Sequence, residues 1–566
     1  MIRFQRAAQT VTLTLFLGLL FLAGYPYEPR MEADFFLRLD PLIGVGTILA
    51  ARDFMAAVLP GLILLLLTLV VGRIFCGHIC PMGATVDILR AAVRAGKKTN
   101  ARNNSTEATA QYRVWKYIGL VFIVAAAVGG ISIVYVGSPL SLVTRFYGLS
   151  VYPVLLLVAD SALYWIAPLL SKTGHPELMY LEITPRIFAT NVFVFGVFVG
   201  IAALAYAQPR FWCRHLCPAG ALMALFSRAP LVGRRVNESC TECGLCVGQC
   251  PAGAISSEDP GRTAHSECIV CLRCVEICHE SAVSFSVGAR AGAGVTAGVD
   301  FTRRKLVLAA GSGLITAGLF RVGVHQPRDV AGRRGLTDAT LIRPPGALPE
   351  PEFLAGCVRC GECMVACPTN GLQPVWLKAG LEGLFGPVLV SRIGACALNC
   401  RACGQVCPTG AVRDLPLHEK QHAKIGTAWI VRQNCLAWEQ DRKCLVCDEV
   451  CPYNALAFRP AKGLRNLVPF VIENRCTGCG WCENKCPVKG ASAIRINVIG
   501  EVRIAEGSYV EKAREFGLVF RAKDHSRDRL RPESGEPGKS PTDRDGSLKP
   551  APLIREAAPG QIGTDK

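Results

Sequence analysis

Six groups of four cysteines recur along this chain and restrict its fold more than any other feature. In each group three cysteines lie near one another and a fourth follows after three residues, with proline next in five of the six groups. Three thiolates on one tight loop hold three corners of an iron–sulfur cubane, and the fourth ligates a neighbouring cluster. Zinc sites instead use two separate C-x2-C knuckles. The spacing therefore predicts small modules built around [4Fe–4S] clusters.

The regular spacing, C-x2-C-x2-C-x3-C, is that of bacterial ferredoxins, and two such groups stand together after residue 236. One cluster is predicted to use Cys240, Cys243, Cys246 and Cys278, and a second Cys250, Cys268, Cys271 and Cys274. His279 stands where proline is expected. Four further groups, two of them with the first gap widened to x3 or x8, supply ligands for four more clusters. Their cysteines are Cys357, Cys360, Cys363, Cys367, Cys396, Cys400, Cys403, Cys407, Cys435, Cys444, Cys447, Cys451, Cys476, Cys479, Cys482 and Cys486.

The remaining four of the 28 cysteines lie in two near-identical segments, each directly after an apolar stretch. RIFCGHICPMGA (73–84) carries Cys76 and Cys80, and RFWCRHLCPAGA (210–221) carries Cys213 and Cys217. If the two C-x3-C-P pairs meet, their thiolates could hold a seventh centre or form a redox-active dithiol. Packing as small buried hydrophobes is the third possibility. His78 and His215 occupy matching positions and could serve such a site or be ordinary interfacial residues.

The composition indicates a membrane protein that carries soluble modules. Mean hydropathy is +0.31 and charged residues make up 19%, below the roughly 25% of soluble domains. The segment 73–116 holds eight Lys or Arg against two Asp or Glu, which places it in the cytoplasm by the positive-inside rule and argues against nucleic acid binding. Apolar spans are predicted at about 8–25, 54–72, 116–137 and 188–206, with a weaker one at 305–322.

The charge pattern also orients the modules. Segment 210–235 is basic and should be cytoplasmic, so the chain crosses an odd number of times between 138 and 210. The segment 151–170 is therefore either an interfacial or re-entrant piece or half of a two-helix excursion, and we expect the interfacial position because it contains Asp160. The stretch Thr302–Lys305 ahead of a mildly apolar run is typical of a twin-arginine signal, although a basic helix flank is the alternative. Residues beyond 323 would then be periplasmic.

These motifs resemble the NapH group of membrane ferredoxins, which includes the membrane halves of NosR and CcoG, followed by NapG. The paired C-x3-C-P motifs and two-cluster unit carry the first resemblance; IRPPGALPE (342–350), CPTNGLQP (367–374) and CLAWEQDRKC (435–444) carry the second. NapG-like proteins imply that the first cysteine group of the four-cluster part shares ligands with the fourth, and the second with the third. Cys486 would then join Cys357, Cys360 and Cys363, and Cys407 would join Cys435, Cys444 and Cys447.

The predicted fold is multi-domain, an α-helical membrane bundle with small α+β bacterial-ferredoxin-like modules, one with two clusters and one with four. The expected parts are a NapH-like transmembrane domain at 1–235, a cytoplasmic two-cluster domain at 236–295, a twin-arginine-like helix at 301–322, a periplasmic NapG-like four-cluster domain at 340–505 and a disordered tail at 521–566. The expected location is the bacterial inner membrane, as a multi-pass protein.

The resemblance implies an electron-transfer subunit of a quinol dehydrogenase, with quinone as a possible substrate. Its partners would be the quinol pool, a periplasmic reductase or cytochrome, and possibly a cytoplasmic donor. Quinol oxidation releases protons, and Arg38, Asp40 and Arg145 are candidates to handle them at the membrane edge, although ordinary interfacial anchors are the alternative. A factor that reduces a metal such as copper in a partner, and a redox sensor, are the alternatives. No C-x2-C-H, Walker A or dinucleotide motif is found, which disfavours haem c, ATP and NAD(P)H chemistry.

Overall fold

A bundle of mostly apolar helices forms the centre of the fold, and small two-stranded sheets lie at its ends. The computed structural model describes residues 2–23, 32–94, 111–172, 186–287, 302–321 and 340–520, so the predicted disordered tail lies outside the described residues. The helices are α1 Ile2–Leu22, α2 Phe35–Arg38, α3 Pro41–Ala51, α4 Leu59–Val71, α5 Pro81–Arg94, α6 Val114–Val128, α7 Val134–Gly137, α8 Pro139–Phe146, α9 Tyr152–Lys172, α10 Asn191–Ala207, α11 Pro218–Phe226, α12 Leu245–Gln249, α13 Arg273–Glu276, α14 Arg303–Arg321, α15 Glu350–Gly356, α16 Glu362–Ala366, α17 Ala402–Gln405, α18 Leu417–His422, α19 Leu436–Glu439, α20 Val446–Glu449, α21 Trp481–Asn484 and α22 Tyr509–Glu515.

Three ferredoxin-like units are built on the same plan, each with an outer pair of antiparallel segments around an inner pair. In the two-cluster module, strand β1 (Val232–Val236) pairs with β2 (Val283–Val287), around a bridge between Ile255 and Thr263. In the first unit of the four-cluster module, a bridge between Ala347 and Val412 encloses β3 (Leu372–Pro374) and β4 (Pro387–Leu389). In the second unit, β5 (Thr427–Ile430) pairs with β8 (Ile494–Asn497) around β6 (Leu456–Arg459) and β7 (Val468–Val471).

The two ferredoxin modules contact opposite ends of the bundle. At the start of α1, Gln5 accepts a hydrogen bond from Arg273 of the two-cluster module, while Ala23 beyond its end packs with Ala366 of the four-cluster module. Helix α6 likewise runs from Lys116, which binds Glu267 of the two-cluster module, towards Ala127, which packs against the four-cluster module.

Helix α14 connects the two modules along the chain and lies beside α6. Gly313 of α14 approaches the Phe122 carbonyl and Ala125, and Ala317 approaches Gly129, so the two helices run in the same direction. These small residues allow close helix contact. Helix α14 therefore leads from the two-cluster end of the bundle to the four-cluster end, as a connecting segment between modules on opposite faces would.

LDPL (39–42) precedes the first C-x3-C-P motif and GSPLSL (137–142) precedes the second, so the sequence contains an internal repeat, and the structure brings the starts of the two repeats together. Asp40 caps α3 by accepting a hydrogen bond from the Leu42 amide, and Ser138 caps α8 by accepting one from the Ser141 amide. A proline follows each cap and favours the first helical turn. The Ser138 hydroxyl donates to Asp40 over 2.6 Å, so the matching starts of the two repeats meet directly.

The predicted spans appear as helices, with shifted limits. Helix α6 ends at Val128, well before the predicted limit of 137, because Gly129 and Gly130 follow and Gly130 takes a φ of 86°. By length and composition alone, Phe4–Leu22 and Pro139–Ile166 are large enough to cross a membrane. The shorter apolar helices in the described part are Pro41–Ala51, Ala56–Val71, Val114–Val128 and Asn191–Ala207.

The segment 151–170 forms helix α9, and its role at the interface stays a prediction. Tyr152, at the start of α9, lies near Arg186, because the Arg186 guanidinium is 5.5 Å from the Tyr152 ring. Arg186 also donates to the Val365 carbonyl of the four-cluster module. Tyr152 and Arg186 therefore lie at the four-cluster face of the bundle.

Candidate metal centres

Two cavities of the two-cluster module are each lined by four cysteines. The first, site A, contains Cys240, Cys243, Cys246 and Cys278, with His279 beside them. The second, site B, contains Cys250, Cys268, Cys271 and Cys274. The structure thus brings together the two predicted ligand sets, and Arg234 lies between them, lining both cavities and donating to Cys246 Sγ over 3.5 Å. That these cysteines ligate clusters stays a prediction.

Sixteen cysteines of the four-cluster module also form four sets. Site C combines Cys357, Cys360, Cys363 and Cys407; site D combines Cys367, Cys396, Cys400 and Cys403. Site E lines one cavity with Cys435, Cys444, Cys447 and Cys486, and site F combines Cys451, Cys476, Cys479 and Cys482. Each site takes its fourth cysteine from the neighbouring group along the chain.

The implied sharing of ligands between first and fourth groups, and between second and third, is therefore wrong. Cys486 lies with Cys435 rather than with Cys357, and Cys407 lies with Cys357 rather than with Cys435. The strand pairing explains the difference, because the Ala347–Val412 bridge closes one unit before the next begins. Each fourth cysteine can reach only the partner group within its own unit.

Buried thiols line these sites and need a compensating positive charge to ionise. Burial is the main factor that raises the pKa of Cys363, Cys403 and Cys482 well above the ordinary thiol value, and neighbouring thiols raise it further. Among the described residues no group of three or more His, Cys, Asp or Glu side chains has the spacing of a single-ion site. Cavities lined by four thiols fit a cluster, whose iron would hold the thiolates in their charged form.

The four sites of this module lie next to one another, and sites C and D both contact the bundle, because Cys363 and Cys400 pack against Ala23 and Ala33. At site C, Gly361 also faces the Leu149 side chain of the bundle. Cys363 of site C and Cys403 of site D are close enough for their charges to interact. Site D then meets site F, where the Cys396 amide donates to the Cys479 carbonyl over 2.8 Å.

Site F in turn lies beside site E, because the charges of Cys482 and Cys447 interact. Around site E the apolar side chains of Leu445 and Leu467 are exposed. The contacts between neighbouring sites therefore run in the order C, D, F and E, from the bundle to an exposed surface.

The four cysteines of the C-x3-C-P motifs also converge, in a place called site G here. Cys217 interacts electrostatically with Cys213, Cys76 and Cys80, so both motifs contribute to one buried cluster of thiols. The motif histidines take other roles: His215 lies 3.2 Å from Gln208 and against the Phe211 ring, and His78 lies near the Phe4 ring.

The predicted acid–base candidates have structural partners. Both carboxylate oxygens of Asp40 accept hydrogen bonds, from the Leu42 amide and from Ser138. Arg38 pairs with Asp34 over 2.7 Å. Arg145 is buried, donates to the Tyr135 carbonyl and lies near Cys360 of site C.

Sequence reasoning missed a buried carboxyl beside site C. Glu362 is 2% exposed, and its Oε2 has no hydrogen-bond partner among the described residues. Burial, with the charge of Asp34, raises the pKa of Glu362 well above its ordinary value. Glu362 lies between two cysteines of the motif, and residues between the ligands do not themselves bind the cluster. The sequence therefore gave no signal that this carboxyl would be buried.

Comparison with protein families assigns iron–sulfur domains to all these regions. A 4Fe-4S dicluster domain matches 233–279, and another 4Fe-4S dicluster domain matches 356–411 and 442–490. A 4Fe-4S binding domain matches 54–100, 190–237 and 403–420, so the two C-x3-C-P segments match the same family. The two separate dicluster matches agree with the two units seen in the four-cluster module.

Named relatives match part of this chain. The methylamine utilization ferredoxin-type protein MauM of Methylorubrum extorquens is 41% identical over 167 residues, 28% of this chain and 73% of the relative. MauM of Paracoccus denitrificans is 41% identical over 28% of this chain and 72% of the relative. The ferredoxin-type protein NapG of Escherichia coli is 37% identical over 26% of this chain and 65% of the relative. The expected NapG resemblance is thus confirmed, and the chain belongs to the family of ferredoxin-type 4Fe–4S proteins that includes MauM and NapG.

Proposed function

We propose that this protein is embedded in the bacterial inner membrane, oxidises quinol and passes the electrons through the four-cluster module to a periplasmic redox partner. The same proposal includes a NapH-like first half, a twin-arginine role for Thr302–Lys305 and a count of six clusters. When bound, the clusters supply one-electron transfer, and the protein sets their distances and potentials. The observation that carries the proposal is the ordered path C, D, F and E, leading from the bundle to an exposed end.

Exposed apolar side chains support a membrane position for the bundle. Ile63, Leu66, Val192, Phe195 and Leu157 are 54–80% exposed on helices whose other faces pack together. Apolar surface of this extent is costly in water and marks a membrane or protein contact. Because the two ferredoxin modules sit at opposite ends of these helices, a bilayer around the bundle would place them on opposite sides.

A quinol is the electron source that suits a bundle in which no cysteine lies along α6, between the two ferredoxin modules. Helix α6 spans from the site G end to the site C end with 15 residues and no cysteine, a length of about 22 Å. Neither the cysteine sites of the two-cluster module nor those of the four-cluster module extend along this helix. A mobile, membrane-soluble donor that reaches site C would supply the four-cluster path directly.

The residues at site C would hold that end of the path in place. Arg359 is 1% exposed, donates to the Ser132 carbonyl of the bundle over 2.6 Å and lies 4.5 Å from the Tyr135 ring. The Ser141 hydroxyl donates to the Val358 carbonyl over 2.8 Å. These contacts fix the first cluster-binding loop against the bundle, where a quinol in the membrane could approach.

The test is anaerobic reduction of the purified full-length protein by a soluble quinol analogue, followed by visible bleaching and EPR. We expect reduction in the wild type and in Cys444→Ala, which removes a ligand only from the outer site E. We expect Cys360→Ala, which affects the inner site C, to slow reduction at least tenfold, with iron content confirming that each variant loses one cluster. Wild-type clusters that dithionite reduces but quinols do not would contradict the proposal. Reduction of copper bound to a partner protein in that case would favour an assembly factor.

A further inference from the structure

Exposed basic side chains lie around site E, the last site in the order C, D, F and E. Within three positions of its four cysteines, five exposed basic residues stand against one exposed acidic residue, Glu449. The basic residues, called the basic rim here, are Arg432, Arg442, Lys443, Lys485 and Lys489. In the described part of the chain none of these five forms an ion pair, and Arg432 lies over the Trp438 ring. Their charges can therefore act on a molecule that approaches site E.

The other acidic residues near site E are drawn into the fold. Within the same three positions, the partly exposed acidic residues are Asp441, Asp448 and Glu483. The Asp441 carboxylate accepts hydrogen bonds from the Arg465 and Asn466 amides, at 3.0 and 2.8 Å. The Glu483 carboxylate accepts one from the Ile496 amide over 2.8 Å. These two carboxylates are thus engaged by the backbone, while the basic rim stays exposed to solvent.

Apolar side chains lie among the residues of the basic rim. Leu445 and Leu467 are 37% and 52% exposed. The hydrogen bonds to Asp441 hold the loop that carries Leu467 beside the segment that carries Lys443. Pro469 of the same loop lines the site E cavity together with Cys444 and Cys486. An apolar centre with a charged margin is the usual composition of a protein–protein interface.

The excess of exposed positive charge is a feature of site E rather than of the whole module. Within three positions of the cysteines of sites C and D, the charged side chain that reaches the surface is Arg401, and it pairs with Asp414. Around site F the same count gives two exposed basic and two exposed acidic residues, namely Arg475, Lys485, Glu449 and Glu473. The charge is therefore concentrated at the site that lies farthest along the series from the bundle.

We propose that the basic rim, with Leu445 and Leu467, is the docking surface for an acidic, soluble one-electron redox protein that accepts electrons at site E. Opposite charges speed the encounter and orient the partner, and a small apolar centre suits a contact that must separate after each transfer. One electron leaves site E and reduces the partner's redox centre by one electron, and no bond forms or breaks. The transfer of electrons to the partner rests on the proposed function, whereas the binding of an acidic protein does not.

The test uses the purified full-length protein with plant plastocyanin, an acidic copper protein, as the probe at low ionic strength. Carbodiimide joins lysine amines directly to carboxylates, so mass spectrometry should find the probe linked to Lys443, Lys485 or Lys489. We expect Lys443→Glu/Lys485→Glu to weaken binding at least about tenfold. The control Lys378→Glu/Arg514→Glu changes the net charge by the same amount on exposed residues of the first unit and of α22, and should weaken binding less than about twofold.

The matched control is needed because the whole chain is basic, with a net charge of +18. Equal weakening by the two double variants would overturn the proposal, since binding would then follow net charge alone. Cross-links of the wild type that avoid the three lysines of the basic rim would overturn it without any variant. Oxidation of the dithionite-reduced protein by plastocyanin should slow with the loss of binding, and an unchanged rate would refute transfer at site E. None of these measurements uses quinol, so the two proposals can fail separately.

Discussion

Glu267 provides the sharpest test of how the two-cluster module is held on the bundle. Its carboxylate is 2% exposed, and it accepts hydrogen bonds from Lys116 at 2.5 and 2.7 Å, from Arg73 at 3.3 Å and from Tyr117 at 3.3 Å. Burial alone would raise its pKa, but the charges of Lys116, Arg73 and Arg113 outweigh burial and hold the pKa at about 2. The residue is therefore an anion wedged among buried cations.

The substitution Glu267→Gln keeps the shape and removes the charge. Breaking a buried ion pair by removing one partner costs about 3–5 kcal/mol, which is at least a hundredfold in the equilibrium for module opening. We expect amide hydrogen exchange of the docked segment 265–272 to accelerate by about that factor, with exchange in 427–497 unchanged. The matched control is Glu238→Gln, on an exposed carboxylate of the same module. Acceleration below about threefold, with iron content retained, would refute the view that this charge network holds the module.

Three further substitutions test other contacts. Gly77→Val should displace the two-cluster module, seen as faster exchange of 265–272, because its side chain would overlap the Ile269 carbonyl; Gly196→Val, which has open space around it, should not. Arg359→Leu should lower the melting temperature by several degrees, since the buried carbonyls of Ser132 and Leu354 lose their donor at about 1–3 kcal/mol each. Arg401→Leu, at a more exposed pair, should have little effect. Burial raises the pKa of Glu350, but Arg343 and Arg503 outweigh burial and hold that pKa below its ordinary value. The ion pairs of Glu350 with these arginines therefore stabilise the fold above about pH 4.5, and the stabilisation is lost as pH falls. Glu350→Gln should therefore destabilise the protein at pH 7 by about 1–3 kcal/mol and by less at pH 4, and an equal effect at both values would contradict this.

Local patterns predicted the elements well. Cysteine spacing marks each cluster-binding loop because a cubane constrains only neighbouring residues, and apolar runs mark the helices because burial or lipid contact is repeated at every turn. The positions of α1, α4, α6, α10 and α14 follow from that signal. Gly129 and Gly130 ended α6 earlier than its hydropathy indicated, since backbone conformation and apolarity are separate properties.

The pairing of cysteines from different groups, and other contacts between distant residues, could not be predicted from the same patterns. Every cysteine group presents a nearly identical fourth ligand, so spacing does not tell which group receives Cys407 or Cys486. The choice is made by strand pairing, such as that of β5 with β8 over more than sixty residues. The contact of Lys116 with Glu267 joins residues 151 apart, and nothing local in either segment indicates it.

The two repeats differ at positions where the same residue in both would be unfavourable. Where the repeats meet, two aspartates would place carboxylates against each other, whereas Asp40 with Ser138 provides one acceptor and one donor. At the opposite end, Gly77 and Arg214 occupy matching positions, but only the first faces the Ile269 carbonyl, and Arg214 instead reaches Gly253. Glycine at both positions would remove the buried cation of Arg214. Arginine at both positions would displace the two-cluster module. A duplicated bundle that carries one asymmetric module must therefore diverge at these positions.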